Sequence, residues 1–389
     1  MFKIGQEEVE AIRLAIADGN LFRYSKQSRT EQLERGWAAK VGTAHCLALN
    51  SGTSALMCGL LGMGIGPGDE VIVPGYTFIA TAAAVLAVGA IPILAEVDES
   101  LTLDAADFEA KITPHTKAVI PVHIQGMPAN LGAILKVAGA HGIAVMEDAC
   151  QADGGSYRGR CLGSLGDAGA HSFNFFKIIG AGEGGALVTS KRELLETATL
   201  AHDCGNAFFS EKAPTVPLFT GWNFRISEIL SAVMLVQVDR LDGILSGLRR
   251  EKTFLAGELR GRVEFVPSND AEGDCGTTLA LRFSTSESAA RFTEAALAAG
   301  VGGVHSPIHT GKHVYTNWQA ILEKKGAAHP AHNPYNFAKR PIAYSKEMLP
   351  RTLMHLARSV YVPMHVNHGE EKWEAMAKAL KAAAEKASA

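Results

Sequence analysis

The chain predicts an α/β fold, a mostly parallel sheet sandwiched by helices, followed by a smaller C-terminal α+β domain. Three observations carry this expectation. Short apolar runs of strand length alternate with helical stretches through the first half of the chain, the pattern of a parallel sheet covered on both faces. The polar segments that end these runs, at Asn50, Pro74, His123 and Asp148, would share one sheet edge, where such folds hold ligands. From about Glu251 the pattern becomes an alternating strand, Thr278-Leu-Ala-Leu-Arg-Phe283, and an amphipathic helix. Residues 1–250 are expected to form the large domain and 251–389 the small one, with the N-terminal helix packing on the small domain.

Taken in order, Gln6 to Ala17 reads as an amphipathic helix, with no secretory signal before it. Leu21-Phe-Arg-Tyr24 and the polar stretch to Arg35 are expected to be mobile or to face the site, with Tyr24 a candidate substrate contact. Glu31 to Lys40 forms a helix that leads into the strand Cys46–Leu49. Next comes Asn50-Ser-Gly-Thr-Ser-Ala-Leu56, a strand end, a turn and a helix start. N–H groups at a helix N-terminus bind anions. Gly52 permits close approach, and Ser51, Thr53 and Ser54 add hydroxyls, so the segment reads as a phosphate cradle. The same residues also read as simple N-caps.

Glu70–Pro74 is a strand, and Tyr76-Thr-Phe78 opens a helix expected to run through Val88. Phe78 at its start is a candidate to stack on a flat ring. Gly89 and Pro92 split the apolar run Phe78–Ala95, which argues for a core helix and a buried strand over a membrane span. Ile91–Leu94 and Ala118–Val122 are further strands, with helices at Ala105–Ile112 and Asn130–His141. Ile143–Glu147 is a buried strand, Tyr157-Arg-Gly-Arg160 a hairpin turn, and Ala170–Phe173 another strand. The glycines of Gly180–Gly185 spell GxGxxG but precede the strand Ala186–Thr189. A dinucleotide fingerprint precedes a helix. Asn206–Leu218 reads as a loop. Asn223 and Arg225, just before a long helix ending near Arg250, suggest anion contact in this subunit's site or a partner's.

In the C-terminal part, Glu287–Ala299 is a helix, Arg358–His365 a core strand ending near the site, and Glu370–Lys386 a terminal helix. The histidines from His305 to His332 lack the spacing and the acidic or thiol neighbours of a metal centre. A lid or substrate loop containing His309, Tyr315 and Trp318 is expected instead.

The 389 residues are 47% hydrophobic and 20% charged, with net charge −3. That excludes a strongly basic nucleic-acid or membrane binder. The six cysteines form no CxxC pair, which fits reduced thiols in a cytoplasmic enzyme.

The chemistry concentrates in Val145-Met-Glu-Asp-Ala-Cys-Gln151 and His171-Ser-Phe-Asn-Phe-Phe-Lys177. A carboxylate at the end of a buried strand costs several kcal/mol unless a cation faces it. A protonated pyridine ring is such a cation. Lysine is the side chain that condenses with an aldehyde and can later be displaced by another amine. Singly, the Asp is a helix cap and the Lys a solvated charge. Jointly they read as a pyridoxal 5'-phosphate site, Asp148 at the ring nitrogen and Lys177 carrying the cofactor covalently.

With these residues assembled, the chain resembles the sugar aminotransferase family named for DegT, DnrJ, EryC1 and StrS, of the aspartate aminotransferase fold (fold type I). The matching motifs are Asn50-Ser-Gly-Thr53, Pro74-Gly-Tyr-Thr-Phe78, Glu147-Asp-Ala-Cys-Gln151, Ser172-Phe173 with Lys177, Gly182-Glu-Gly-Gly185 and Asn223-Phe-Arg-Ile-Ser-Glu228. The resemblance implies that Gln151 contacts the ring hydroxyl and Phe78 stacks on the ring. It implies that Gly52, Thr53, Ser54 and Ser172 hold the phosphate and that Asn223 reaches the neighbouring subunit's phosphate in a homodimer. It also implies an amino donor, glutamate or glutamine, and a keto-sugar acceptor, with Arg225 a further candidate substrate contact. A dehydratase branch carries His where Lys177 stands here, so lysine favours transamination over a lyase or dehydratase reaction. Cys150 stands where alanine is common, and Asn174-Phe-Phe176 departs from the usual residues before the lysine. Leu21–Tyr24, the Cys150 motif and Asn317-Trp318 are similar to the branch that aminates C8 of a 3-deoxy-octulosonate. A keto-cyclitol acceptor is the other alternative.

Overall fold

The computed structural model describes residues 3–205 and 213–388. The chain opens with α1 (Gln6–Ala17) and α2 (Arg29–Val41). Ser28 caps α2 by accepting from the Glu31 N–H, and Gly42 ends it in the left-handed region. The main-sheet strands are β1 (His45–Leu49), β2 (Glu70–Pro74), β3 (Ile91–Ala95), β4 (Thr116–Val119) and β5 (Ala144–Asp148). A side hairpin, β6 (Ser156–Tyr157) and β7 (Arg160–Cys161), precedes the last two, β8 (Ala168–Ser172) and β9 (Gly185–Thr189). Between them lie α3 (Gly52–Gly62), α4 (Ala80–Ala87), α5 (Ala105–Ala110) and α6 (Leu131–His141), with α7 (Arg192–His202) after β9. The order is β1-β9-β8-β5-β4-β2-β3. All neighbours from β8 to β3 are parallel, and β9 runs against both β8 and β1. Every strand except β9 therefore delivers its carboxyl end to one edge.

Residues alternate between two buried faces along these strands, as the pleat requires. Leu47, Val71, Val73, Met146 and Ala170 pack against α3, α4 and α7. Ala48, Ala186 and Val188 pack on α2 and the following long helix, while Ile72, Val119 and Val145 meet α5 and α6. Asp148 shares the parity of Met146, and Ser172 that of Ala170, so both face α3 and α4.

Beyond these, α8 (Glu228–Leu259) runs unbroken from one domain to the other. Met234, Leu241 and Leu245 belong to the large-domain core, and Leu248, Leu255 and Leu259 to the small one. The expected helix end near Arg250 is thus mid-helix. The small domain has an antiparallel sheet of β10 (Glu264–Phe265), β11 (Thr278–Arg282) and β12 (Ser359–Pro363). It packs on α9 (Ser286–Ala298) and α12 (Glu370–Ser388). Two shorter helices, α10 (Gln319–Leu322) and α11 (Pro350–Ala357), lie between α9 and β12.

Several boundaries differ from the sequence expectation for physical reasons. Helix α4 begins at Ala80 because the Thr77 and Ile79 N–H groups donate to the carbonyls of His313 and Lys312. Strand β4 stops at Val119, just short of Pro121, which has no N–H to donate. Helix α1 lies along α8, where Gln237 donates to Glu8 at 2.6 Å and Arg240 pairs with Glu8 at 2.6 Å. The packing expected against the small domain is therefore made against α8. Helix α7, which the sequence reading omitted, packs closely on α3. Of the expected loop Asn206–Leu218, residues 206–212 lie outside the described residues. No helix among the described residues is long and apolar enough to cross a membrane.

On the reverse face of β5, Glu147 is wholly buried and accepts from the N–H groups of Gly163, Leu165 and Gly166. His123 Nδ1 accepts from the Ala129 N–H, so its Nε2 carries the proton donated to Glu147 at 3.1 Å. Burial alone would raise the Glu147 pKa, but His123 and the backbone donors outweigh it and hold the carboxyl below its ordinary range. A carboxyl with a lowered folded-state pKa contributes stability above its unfolded value and loses it as pH falls through the folded value. Glu147→Ala is expected to lose about 3–5 kcal/mol in urea unfolding at neutral pH. The deficit of Glu147→Gln relative to wild type should shrink as pH falls below the ordinary carboxylate range.

Candidate active site

The carboxyl edge of the sheet opens into a cavity of about 650 Å3. Its floor is Asp148, the last residue of β5 and only 5% exposed. One carboxylate oxygen accepts from the Cys150 N–H at 3.1 Å, the other from the Thr81 hydroxyl at 2.7 Å. Thr81 is in turn tied to Thr77 at 2.7 Å. Among the described residues no Lys, Arg or His forms an ion pair with Asp148. The carboxylate is thus buried, held by two neutral donors, and without a countercharge from its own chain.

Around it stand the residues delivered by neighbouring strand ends. After β1, Ser51 caps α3 by accepting from the Ser54 N–H at 3.1 Å. The first-turn N–H groups of Gly52 and Thr53 have no carbonyl one turn back to bond, and both residues line the cavity. Position 52 must be glycine for a packing reason: a Cβ there would lie 2.7 Å from Cys150 Sγ and 2.8 Å from Ser172 Cβ. Ser172, at the end of β8, adds a hydroxyl. Phe78 lines the wall after β2, with its ring 5.4 Å from His313. Gln151 Oε1 accepts from the Gln125 N–H at 2.9 Å. That bond fixes the amide's orientation and leaves Nε2 as the donor for a ligand. Lys177 lines the cavity, and among the described residues its amine has no hydrogen-bond or ion-pair partner. Burial first, and the Asp148 charge second, raise the Cys150 thiol well above its ordinary value, so Cys150 is a packing residue.

The structure therefore brings Gly52, Thr53, Phe78, Asp148, Gln151, Ser172 and Lys177 into one cavity. Other expected residues lie elsewhere. The Ser54 hydroxyl bonds to Asn50 Oδ1 at 2.6 Å and the Ser51 carbonyl at 2.9 Å, and Ser54 does not line the cavity. Tyr24 donates to Asp203, and Arg225 pairs with the same carboxylate. Both are committed to that buried acid and do not line the cavity. The lead-in segment is anchored too, since Arg23 pairs with Glu34 at 2.6 Å and bonds the Ala48 carbonyl at 3.2 Å. Asn223 is exposed, outside this chain's own cavity. Tyr315 is fully buried, its hydroxyl donating to the Lys346 carbonyl and accepting from the Leu349 N–H. Trp318 is equally buried in the large-domain core, so neither belongs to a lid. His309 is exposed and does not line this cavity. The end of β12 only adjoins the wall, through the Met364 N–H bonded to the Thr277 carbonyl.

Sequence reasoning missed Thr81, Gln125, Thr277, Lys312 and His313, all of which line the cavity. Thr81 was within reach, because it follows Phe78 by one helical turn. The other four arrive from distant turns and carried no local signal.

Fold and site together define the class: a fold type I α/β enzyme with a buried acid and a lysine across one cavity. The DegT/DnrJ/EryC1/StrS aminotransferase family model matches residues 3–381, and the chain belongs to that family. It is similar to the GDP-perosamine synthase of Caulobacter vibrioides, 42% identical over 220 residues, which is 56% of this chain and 58% of that protein. It is 36% identical to the L-glutamine:2-deoxy-scyllo-inosose aminotransferase of Streptoalloteichus tenebrarius over 261 residues, 65% of this chain and 61% of that one. The matches thus span about three fifths of these relatives' lengths. Among solved structures, 3-amino-5-hydroxybenzoic acid synthase superposes with a TM-score of 0.81 at 28% identity, covering 98% of this chain and 97% of that one.

Gly52→Ala is expected to lower stability by about 1–3 kcal/mol through overpacking against Cys150 and Ser172, read from denaturant midpoints. The double variant Gly52→Ala/Cys150→Ala should recover part of that loss.

Proposed function

We propose that the protein is a pyridoxal 5'-phosphate-dependent aminotransferase that moves an amino group from glutamate or glutamine to a keto-sugar or keto-cyclitol. One observation carries the reading. Among the described residues, a carboxylate with no ion-pair partner and an amine with no hydrogen-bond or ion-pair partner line the same cavity. Burying an unpaired carboxylate is costly, and a protonated pyridine nitrogen would supply the missing charge. The residues fit the cofactor in other respects. Gly52 and Thr53 offer N–H groups, and Thr53 and Ser172 hydroxyls, to a phosphate. Gln151 Nε2 is left free to donate to a ring oxygen, and Phe78 offers an aromatic face. The names of the two relatives support an acceptor of the keto-sugar or cyclitol kind.

When bound, pyridoxal 5'-phosphate supplies an electron sink for charge developing at the carbon next to the amine. The chain's own residues do the rest. Asp148, held by Thr81 and the Cys150 N–H, keeps a proton on the ring nitrogen. Lys177 would hold the cofactor through its amine. Its freed Nζ then takes the proton from the donor α-carbon, and in the second half-reaction returns one to the acceptor carbon that gains nitrogen.

The site is proposed to be completed by a second copy of the chain. Asn223 is exposed beside Trp222, and Phe175 and Phe176, next to Lys177, are 63% and 76% exposed. A symmetric dimer would cover these rings and carry Asn223 to the partner's phosphate cradle. The reduced thiols and the absence of a membrane-crossing helix among the described residues support a cytoplasmic site of action.

Purified protein with pyridoxal 5'-phosphate is expected to show a visible absorption band. Borohydride reduction should add the cofactor's mass to the peptide containing Lys177. Lys177→Ala should lack the band and lose turnover by about 10²–10⁴-fold or more; turnover surviving in that variant would sink the mechanism. Thr81→Val should bind the cofactor about tenfold more weakly in equilibrium dialysis, because Asp148 loses one of its two donors.

A further inference from the structure

One stretch of the cavity wall has no role in holding the cofactor. Lys312 and His313 reach it from the C-terminal region, in a segment that is not contiguous with any strand-end motif. Their backbone is fixed on both sides. The Lys312 carbonyl accepts from the Ile79 N–H at 3.0 Å and from Trp318 Nε1 at 2.8 Å, and the His313 carbonyl accepts from the Thr77 N–H at 3.0 Å. The segment therefore moves with the start of α4 and with Phe78. The Lys312 side chain is exposed and, among the described residues, makes no ion pair with an Asp or Glu. It lines the cavity together with Glu183 and Asp148 but is ion-paired to neither.

His313 differs. Its Nδ1 lies 3.2 Å from the Thr310 carbonyl, so that nitrogen carries a proton and donates. Burial, with the charge of Lys177 nearby, moves its pKa below the ordinary histidine value, while the Thr310 bond opposes the shift. The ring is therefore neutral at pH 7, and Nε2 is an acceptor suited to a hydroxyl group.

Resting on the aminotransferase reading above, we propose that Lys312 and His313 form the acceptor-recognition wall of the site. Lys312 takes an anionic group and His313 Nε2 takes a hydroxyl of the same substrate. The pairing fits a hydroxylated keto-substrate that carries an acid group, a carboxylate on the sugar or a phosphate attached to it. It fits an amino acid donor poorly, because glutamate and glutamine have no hydroxyl for the histidine to bond.

The test uses full-length protein loaded with pyridoxal 5'-phosphate, and the variants Lys312→Met, Lys312→Arg and His313→Phe. The two half-reactions are followed separately by the change in visible absorbance. One acceptor series carries a carboxylate, one a nucleoside diphosphate, and one is neutral. The expected result is that Lys312→Met raises KM for one of the anionic series about tenfold or more, leaves KM for the neutral series and for glutamate unchanged, and keeps the absorption band. Lys312→Arg should restore most of the loss. Which anionic series responds identifies the acid group. A KM in Lys312→Met equal to wild type for both anionic series, with the band intact, overturns the assignment alone. A rise in KM for glutamate instead of the acceptors overturns it in favour of a donor site. Wild-type protein that shows no band would overturn the aminotransferase reading, and this assignment with it.

Discussion

A carboxylate buried without a countercharge is the constraint on which the rest of the structure turns. Several other buried acids have a basic partner in their own chain. Glu70 pairs with Arg340, Asp203 with Arg225, Asp274 with Lys252, and Glu251 with His368. Glu228, which pairs with no cation, sits in the first turn of α8 and accepts from the N–H groups of Arg29 and Thr30, where the helix dipole favours negative charge. Asp148 has neither arrangement. It stands at the end of a central strand with one hydroxyl and one N–H to hold it. A buried carboxylate of this kind gains from a cationic ligand, and the topology gathers polar groups around it. The parallel strands bring the α3 N-terminus, the Thr77–Thr81 turn, Gln125 and Ser172 to the same edge.

The strand pleat divides the labour between the two faces. Asp148 and Ser172 face the cavity, while Glu147 and His171, one residue earlier on each strand, are buried on the opposite side. There they form two histidine–carboxylate pairs, Glu147 with His123 and Asp153 with His171, each with 0% side-chain exposure. Both meet at Gly163. Its N–H donates to Glu147 at 2.9 Å, and a Cβ at that position would stand 2.6 Å from His171 Nε2. Asp153 lies two residues beyond Gln151, so its bond to His171 at 3.0 Å pins the turn that presents the glutamine. Trp37 closes over His171 and Phe173 edge-on. The face opposite the ligand is thus a rigid backing for the turn that aims the ligand's contacts.

The large domain was legible because its signals are local. Apolar runs marked β1 to β5, a Ser-Gly-Thr turn marked the start of α3, and an acid at a strand end with a downstream lysine marked two residues that line one cavity. The expected site residues found outside the cavity share one feature. Ser54, Tyr24, Arg225 and Tyr315 are polar groups whose partners lie elsewhere: the Ser51 cap, Asp203, and the Lys346 carbonyl. A sequence displays an available hydroxyl or guanidinium but not the neighbour that already holds it. The converse omission, Gln125, has φ 52°, an unusual conformation for a residue other than glycine. That conformation lets its N–H meet Gln151 while its carbonyl accepts from Thr277, and nothing in the local residue pattern announces it.

The expected division at residue 250 falls within α8. Helix α8 carries one face of apolar residues through both cores, so no linker separates them. Further on, the chain leaves the small domain and returns. Val314 pairs with Tyr76 across an isolated bridge, and Tyr315, Trp318 and Leu349 are buried against the large-domain helices. By sequence these residues are C-terminal; by packing they belong to the first core. The return places Lys312 and His313 against α4, while Thr277 reaches the cavity from the small-domain side and bonds the Gln125 carbonyl. The wall around Asp148 is therefore assembled from stretches of chain far apart in sequence, including two from the C-terminal third. Displacing the small domain would disturb Gln125 first and, through it, the orientation of Gln151. The geometry of the ligand's contacts is in this way tied to the seating of the whole C-terminal third.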